Sequence, residues 1–106
     1  MTDAVKALIS ELKTGLVRLY GDRLKSVYLY GSYARGDQDR ESDIDILIIL
    51  DHLDQYGKEV DRTSRLISDL SLENGLSISR VFVTEGDWLR HQTPFLVNAR
   101  EEAIPA

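Results

Sequence analysis

Apolar residues recur in the first part of the chain at three- and four-residue steps, Val5, Leu8, Ile9, Leu12, Leu16 and Leu19. That spacing predicts an amphipathic helix from Thr2 to Leu19, with Thr2 or Asp3 as its N-cap. Gly21-Asp22 breaks it, and from Leu24 to Tyr30 the pattern changes to alternation. Val27 and Leu29 fall on one face of the expected strand, Tyr28 and Tyr30 on the other. After a polar excursion the run Ile44, Ile46, Leu47, Ile48, Ile49, Leu50 is apolar on both faces, as in a strand buried inside a sheet.

The helical step returns from Tyr56 to Leu70, with Tyr56, Val60, Thr63, Ile67 and Leu70 on one stripe and Asp51 or Asp54 near its start. Asn74-Gly75 supplies the stop, glycine suiting the left-handed cap position. Leu76 to Thr84 reads as a third strand. Glu85 to Leu89 reads as a short helix, and a further helix opens at Thr93, with Thr93 as N-cap and Pro94 at the first helical position. Trp88, Phe95 and Leu96 at this end suit either core or a partner interface. The fold class expected is α/β (α+β), a small mixed β-sheet with helices packed on it.

Within this frame the stretch Tyr28 to Leu50 concentrates the chemistry. Asp43 and Asp45, two residues apart in an extended chain, point to the same side of the sheet about 7 Å from each other. Such a pair repels itself and calls for a cation. Only ten residues, Tyr33 to Ser42, join Ser32 to Asp43, too few for a parallel crossover, so the two strands should be antiparallel. Ser32 and both aspartates then share one edge of the sheet. The segment Tyr33-Ala34-Arg35 can open a helical turn whose free N–H groups, with the Ser32 hydroxyl, make an anion cradle. Arg35 is placed either to contact phosphate or to pair with a nearby acid. The rest, Gly36 to Ser42, reads as a solvated loop.

Gly31-Ser32, ten intervening residues and Asp43-x-Asp45 resemble the signature of the polymerase-beta-type nucleotidyltransferase superfamily. GSYARG followed by SDIDILI is especially similar to its minimal nucleotidyltransferases, the likeness running from Val27 to Val83. The resemblance implies that Asp43 and Asp45 are catalytic and bind Mg²⁺ or Mn²⁺, the hard ions that carboxylate and phosphate oxygens suit. It also implies that Gly31, Ser32 and Arg35 bind the nucleotide, Ser32 through the β- and γ-phosphates. The reaction implied is transfer of AMP from ATP to a hydroxyl. The partner implied is a helical HEPN-family protein, with this chain as the antitoxin of a toxin–antitoxin pair. A contact-only binding module on the same fold is the alternative. Members of the superfamily usually carry a third acid on the third strand, where this chain has Leu76-Ser77-Ile78-Ser79-Arg80-Val81; Glu73, Glu85 and Asp87 flank that strand.

Size and composition narrow the partners. With 106 residues the expectation is one domain over 1–106, compatible with a homo-oligomer, and without room for a separate acceptor lobe. A net charge of −5 argues against direct nucleic-acid binding. The absence of cysteine excludes disulfides and thiolate sites, and two histidines, His52 and His91, are too few for a histidine-based metal cluster. No apolar run is long enough to span a membrane, and the N-terminal residues do not resemble a signal peptide, so a cytoplasmic location is expected.

Overall fold

The computed structural model describes residues 1–90 and 92–106; His91 lies outside them. The first stripe folds as helix α1, Asp3–Tyr20, and the Thr2 hydroxyl caps it by accepting from the Val5 N–H. Its inward face runs through Val5, Leu8, Ile9, Leu12 and Leu16, then departs from the sequence expectation. Leu19 is 39% exposed while Tyr20 is buried, because the stripe advances four residues after Leu16 and Tyr20 turns in to meet Phe82 edge-on. A single 3-10 turn, Gly21–Arg23, leads into strand β1, Leu24–Tyr30.

Strand β2, Ile44–Leu50, is antiparallel to β1, and strand β3, Ile78–Thr84, is parallel to β2. The crossover between them is helix α3, Tyr56–Asn74, which ends at Gly75 in the left-handed region with φ 63°. Strand β3 begins at Ile78 rather than Leu76 because the Leu76 N–H closes back on the carbonyl of Ser71. Helix α4, Glu85–Arg90, and helix α5, Pro94–Glu102, complete the helices apart from a single turn, α2, Ser32–Arg35. Thr93 caps α5 through the Leu96 N–H, as its sequence promises. A two-residue strand β4, Ile104–Pro105, is an addition the sequence does not announce; it pairs antiparallel with β1 and gives the order β3-β2-β1-β4.

The sheet separates two layers by residue parity. Helices α1 and α3 cover the face carrying Val27, Leu29, Ile44, Ile46, Ile48 and Phe82. Helices α4 and α5 cover the other, where Leu47, Ile49 and Val83 pack on Trp88, Leu96 and Ala99. Trp88 and Leu96 are therefore core, while Phe95 is 43% exposed and rests edge-on against Tyr30. All of Ile44 and Ile46–Leu50 is fully buried, which makes β2 the rigid centre of the sheet. On α3, Tyr56 departs from the expected core stripe: it is 45% exposed, and its hydroxyl accepts from the Phe82 N–H at the margin of the core. Asp51 and Asp54 do not cap α3, since its N-cap is Gln55 and Asp51 pairs with Arg23. No helix among the described residues is long and apolar enough to cross a membrane.

Candidate active site

Strand β1 delivers Tyr30 directly opposite Asp45 on β2, so the end of one strand lies beside the start of the other. The next residue, Gly31, turns the chain with φ 74° and ψ −155°, a conformation that side chains rarely adopt. It is also buried against the aspartate. A β-carbon at Gly31 would come within 2.2 Å of Asp45 Oδ2, so only glycine lets the turn and the carboxylate occupy the same place. Ser32, half-buried, then opens the single turn α2, which closes at Gly36 through its N–H to the Ser32 carbonyl. The loop beyond ties itself together: Asp39 Oδ1 accepts from the Glu41 N–H and the Ser42 hydroxyl. It is the solvated excursion its polarity suggests.

Asp43 is exposed one residue ahead of β2, and Asp45 is half-buried as the second residue of that strand. The parity of β2 turns Asp45 toward the α4–α5 layer, on the side of Leu47 and Ile49. Burial raises its carboxyl above the ordinary aspartate value, and the charge of Asp43 raises it further; Arg35 opposes the shift and Glu102 adds to it. The same field, after burial, pushes Tyr30 up to about 12. Among the described residues the Asp45 carboxylate accepts no hydrogen bond from any side chain or backbone group.

Strand β3 supplies no third acid here. Ser79 pairs with Asp45 in register, and Arg80 turns to the opposite layer, where Nε donates to the Thr63 hydroxyl and NH2 to the Val60 carbonyl. Glu85 and Asp87 lie past the far end of β3, on the order of 20 Å of strand from Ser79. Asp87 is held there by Arg90 at 2.7 Å. Glu73 belongs to α3, in the other layer, beside Ser10 and Glu11 of α1.

The acid that does arrive is Glu102, the last residue of α5. Its Oε1 accepts from the Gly31 N–H at 3.1 Å and its Oε2 pairs with Arg35 NH1 at 2.9 Å. Arg35 also donates to Asp37 Oδ2 at 3.1 Å, so two acids, Glu102 and Asp37, are its ion-pair partners here. Those two carboxylates tighten the hold of Arg35 on its proton. Nothing local in the sequence marks Glu102. It reaches the site because α5 packs on the sheet and β4 pins the following residues to Leu29 and Tyr28.

The donor set fits a hard dication. Asp45 is half-buried with the charge of Asp43 falling on it, and the arginine whose charge reaches it, Arg35, is paired with Glu102 and Asp37 instead. Among the described residues no group of three or more acids or histidines could hold a metal, so water and phosphate oxygens would supply the remaining ligands. The groove between α1 and β4, lined by Lys6, Ile9, Lys13, Leu29 and Pro105, includes none of these residues.

A family model described as nucleotidyltransferase domain matches residues 9–104. MJ0141 of Methanocaldococcus jannaschii, named as a candidate protein adenylyltransferase, is 38% identical over 74 residues, 70% of this chain and 74% of that one. The protein adenylyltransferase MntA of Shewanella oneidensis is 37% identical over 75 residues, 63% of this chain and 54% of that one. Among solved structures, a toxin–antitoxin crystallised with AMP-PNP superposes with a TM-score of 0.58 at 22% identity, covering 89% of this chain and 68% of that one, a likeness of fold. With the signature turn and aspartate pair inside a match that spans nearly the whole sequence, the chain belongs to the nucleotidyltransferase domain family.

Proposed function

We propose that this chain, acting as a single cytoplasmic domain, transfers AMP from Mg-ATP to a hydroxyl of a partner protein. We take the partner to be a helical HEPN-family toxin that the modification silences. The observation that carries the reading is the close approach of Gly31 to Asp45, which brings the Gly-Ser turn against the start of β2. The names of the relatives, protein adenylyltransferases, and the AMP-PNP in the toxin–antitoxin neighbour point the same way.

In this reading Asp43 and Asp45 hold Mg²⁺ or Mn²⁺. Held there, a dication would neutralise charge on the triphosphate and lower the pKa of the attacking hydroxyl. Gly31 lets the backbone approach the phosphates, Ser32 donates its hydroxyl to the β- and γ-phosphates, and Arg35 pairs with phosphate oxygens. The rigid β2 strand keeps Asp45 in place while the acceptor oxygen attacks the α-phosphorus and pyrophosphate leaves in line. The hydroxyl proton goes to solvent or to a base on the partner, because β3 presents Ser79 beside Asp45.

That serine also favours a second reading, a contact-only antitoxin that keeps the fold and neutralises its partner by binding. Incubation with isotopically labelled ATP and Mg²⁺, with and without the co-encoded neighbour, followed by intact mass spectrometry of both chains, separates the two. AMP increments on the neighbour, lost with Asp43→Ala, are the expected result. A stable complex of unmodified chains, still formed by the Asp43→Ala, Asp45→Ala double variant, would replace it with the binding module.

A further inference from the structure

We propose that Glu102 is a positioning residue that occupies the Gly31 N–H and the Arg35 guanidinium until a triphosphate displaces it, and that it thereby sets nucleotide affinity. The inference rests on the reading above that the phosphates lie at Gly31, Ser32 and Arg35.

Each oxygen of the Glu102 carboxylate is engaged by a different donor, the Gly31 N–H at 3.1 Å and Arg35 NH1 at 2.9 Å. Two oxygens of one anion bridging a backbone amide and a guanidinium is the pattern that a phosphate edge also makes. A phosphate and this carboxylate therefore compete for the same donors. As placed, both Glu102 oxygens are turned to these donors, and among the described residues no three acids are grouped about one point.

The side chain is free to yield. Glu102 ends α5, whose backbone is closed by the Ala103 N–H to the Ala99 carbonyl and then tethered by β4 to β1. Only side-chain torsions need change, and with 27% of that side chain exposed, water is available to receive the carboxylate. Electrostatics favour the exchange. Glu102 sits where its charge falls on Asp45, and Arg35 has two carboxylates, Asp37 and Glu102, already against it. A dication on the aspartates with a polyanion beside it gives Arg35 a more highly charged partner than either.

The test is calorimetric binding of Mg-α,β-methylene-ATP, which cannot be cleaved at the α-phosphorus, to the wild-type chain and to Glu102→Gln, Glu102→Ala and Glu102→Asp. Removing the charge should tighten binding about fivefold, the scale of a partly exposed ion pair that no longer competes. Glu102→Asp, which keeps the charge, should stay within about twofold of wild type on the same scale. Inorganic tripolyphosphate should show the same gain and adenosine none. A merely structural Glu102 would give the opposite sign, since loosening Gly31 and Arg35 weakens binding. Equal or weaker binding by Glu102→Gln and Glu102→Ala, in chains that melt as wild type does, overturns the proposal while leaving the nucleotide site standing. A wild-type chain that binds neither nucleotide nor tripolyphosphate overturns both.

Discussion

Glu59 and Asp45 lie on opposite sides of the same sheet, and their surroundings differ in one respect. Glu59, buried on α3, accepts from the Tyr20 hydroxyl and from Arg62 Nε, both at 2.9 Å, with Arg23 NH2 at 3.6 Å from its other oxygen. Burial alone would raise its carboxyl, but the hydrogen bonds from Tyr20 and Arg62, with the charges of both arginines, hold it below the ordinary glutamate value. Asp45 is raised by its burial and by Asp43, and Arg35, which opposes that shift, is engaged by Glu102 and Asp37. A carboxylate that serves folding comes with its cations built in. One that serves a ligand is left short of them, at a cost to the fold that the ligand removes.

This contrast is broken most easily by exchanging what each side needs. Asp45→Ala should lower AMP transfer on the order of a thousandfold while the chain stays folded, as initial rates and circular dichroism would show. Glu59→Ala should do the reverse. It leaves Arg62 and Tyr20 without their buried acceptor, costing about 3 kcal/mol in urea unfolding, with transfer by the folded fraction unchanged. If Glu59→Ala proves neutral in stability, the pairing around it is not what holds α1 to α3.

Gly31→Ala tests the contact on which the site is built. Its side chain meets Asp45 Oδ2 and a φ of 74°, so about 1–2 kcal/mol of strain should accompany a rate loss of about a hundredfold as Asp45 is pushed aside. A smaller and opposite pair of effects should appear in pH titration of melting temperature without metal. Glu59, lowered in the fold, contributes stability above its unfolded value near 4.5, lost as pH falls through the folded value. Glu59→Gln should therefore be destabilised at pH 7, with the deficit shrinking in acid. Asp45, raised in the fold, costs stability above its folded value, and the penalty fades as pH falls toward 3.8. Asp45→Asn should be the more stable chain at pH 7, its advantage vanishing in acid.

Much of this architecture is legible in the sequence because it rests on local rules. The six apolar residues of β2 announce a buried strand, and the ten-residue link fixes the antiparallel pairing that brings Gly31 to Asp45. Glu59 is not legible, because a glutamate on a helix reads as surface until Tyr20 and Arg62 are known to face it. Nor is Glu102. Its place depends on α5 docking on the sheet and on a two-residue strand ending in proline, too short to carry a pattern. Positions set by close spacing, as Gly31 beside Asp45, are readable, and those set by long-range packing, as Glu59 and Glu102, are not.

On the proposed reading, the region around Asp43 and Asp45 is short of cations until a dication arrives with nucleotide. Paramagnetic broadening by Mn²⁺ of the ¹⁵N-labelled chain, with α,β-methylene-ATP present, tests it most directly. Signal loss should be strongest at Gly31, Ser32, Asp43 and Asp45, small at Glu59 and Arg62, and without this pattern in the Asp43→Asn, Asp45→Asn variant. Broadening centred elsewhere, or unchanged in that variant, would contradict it.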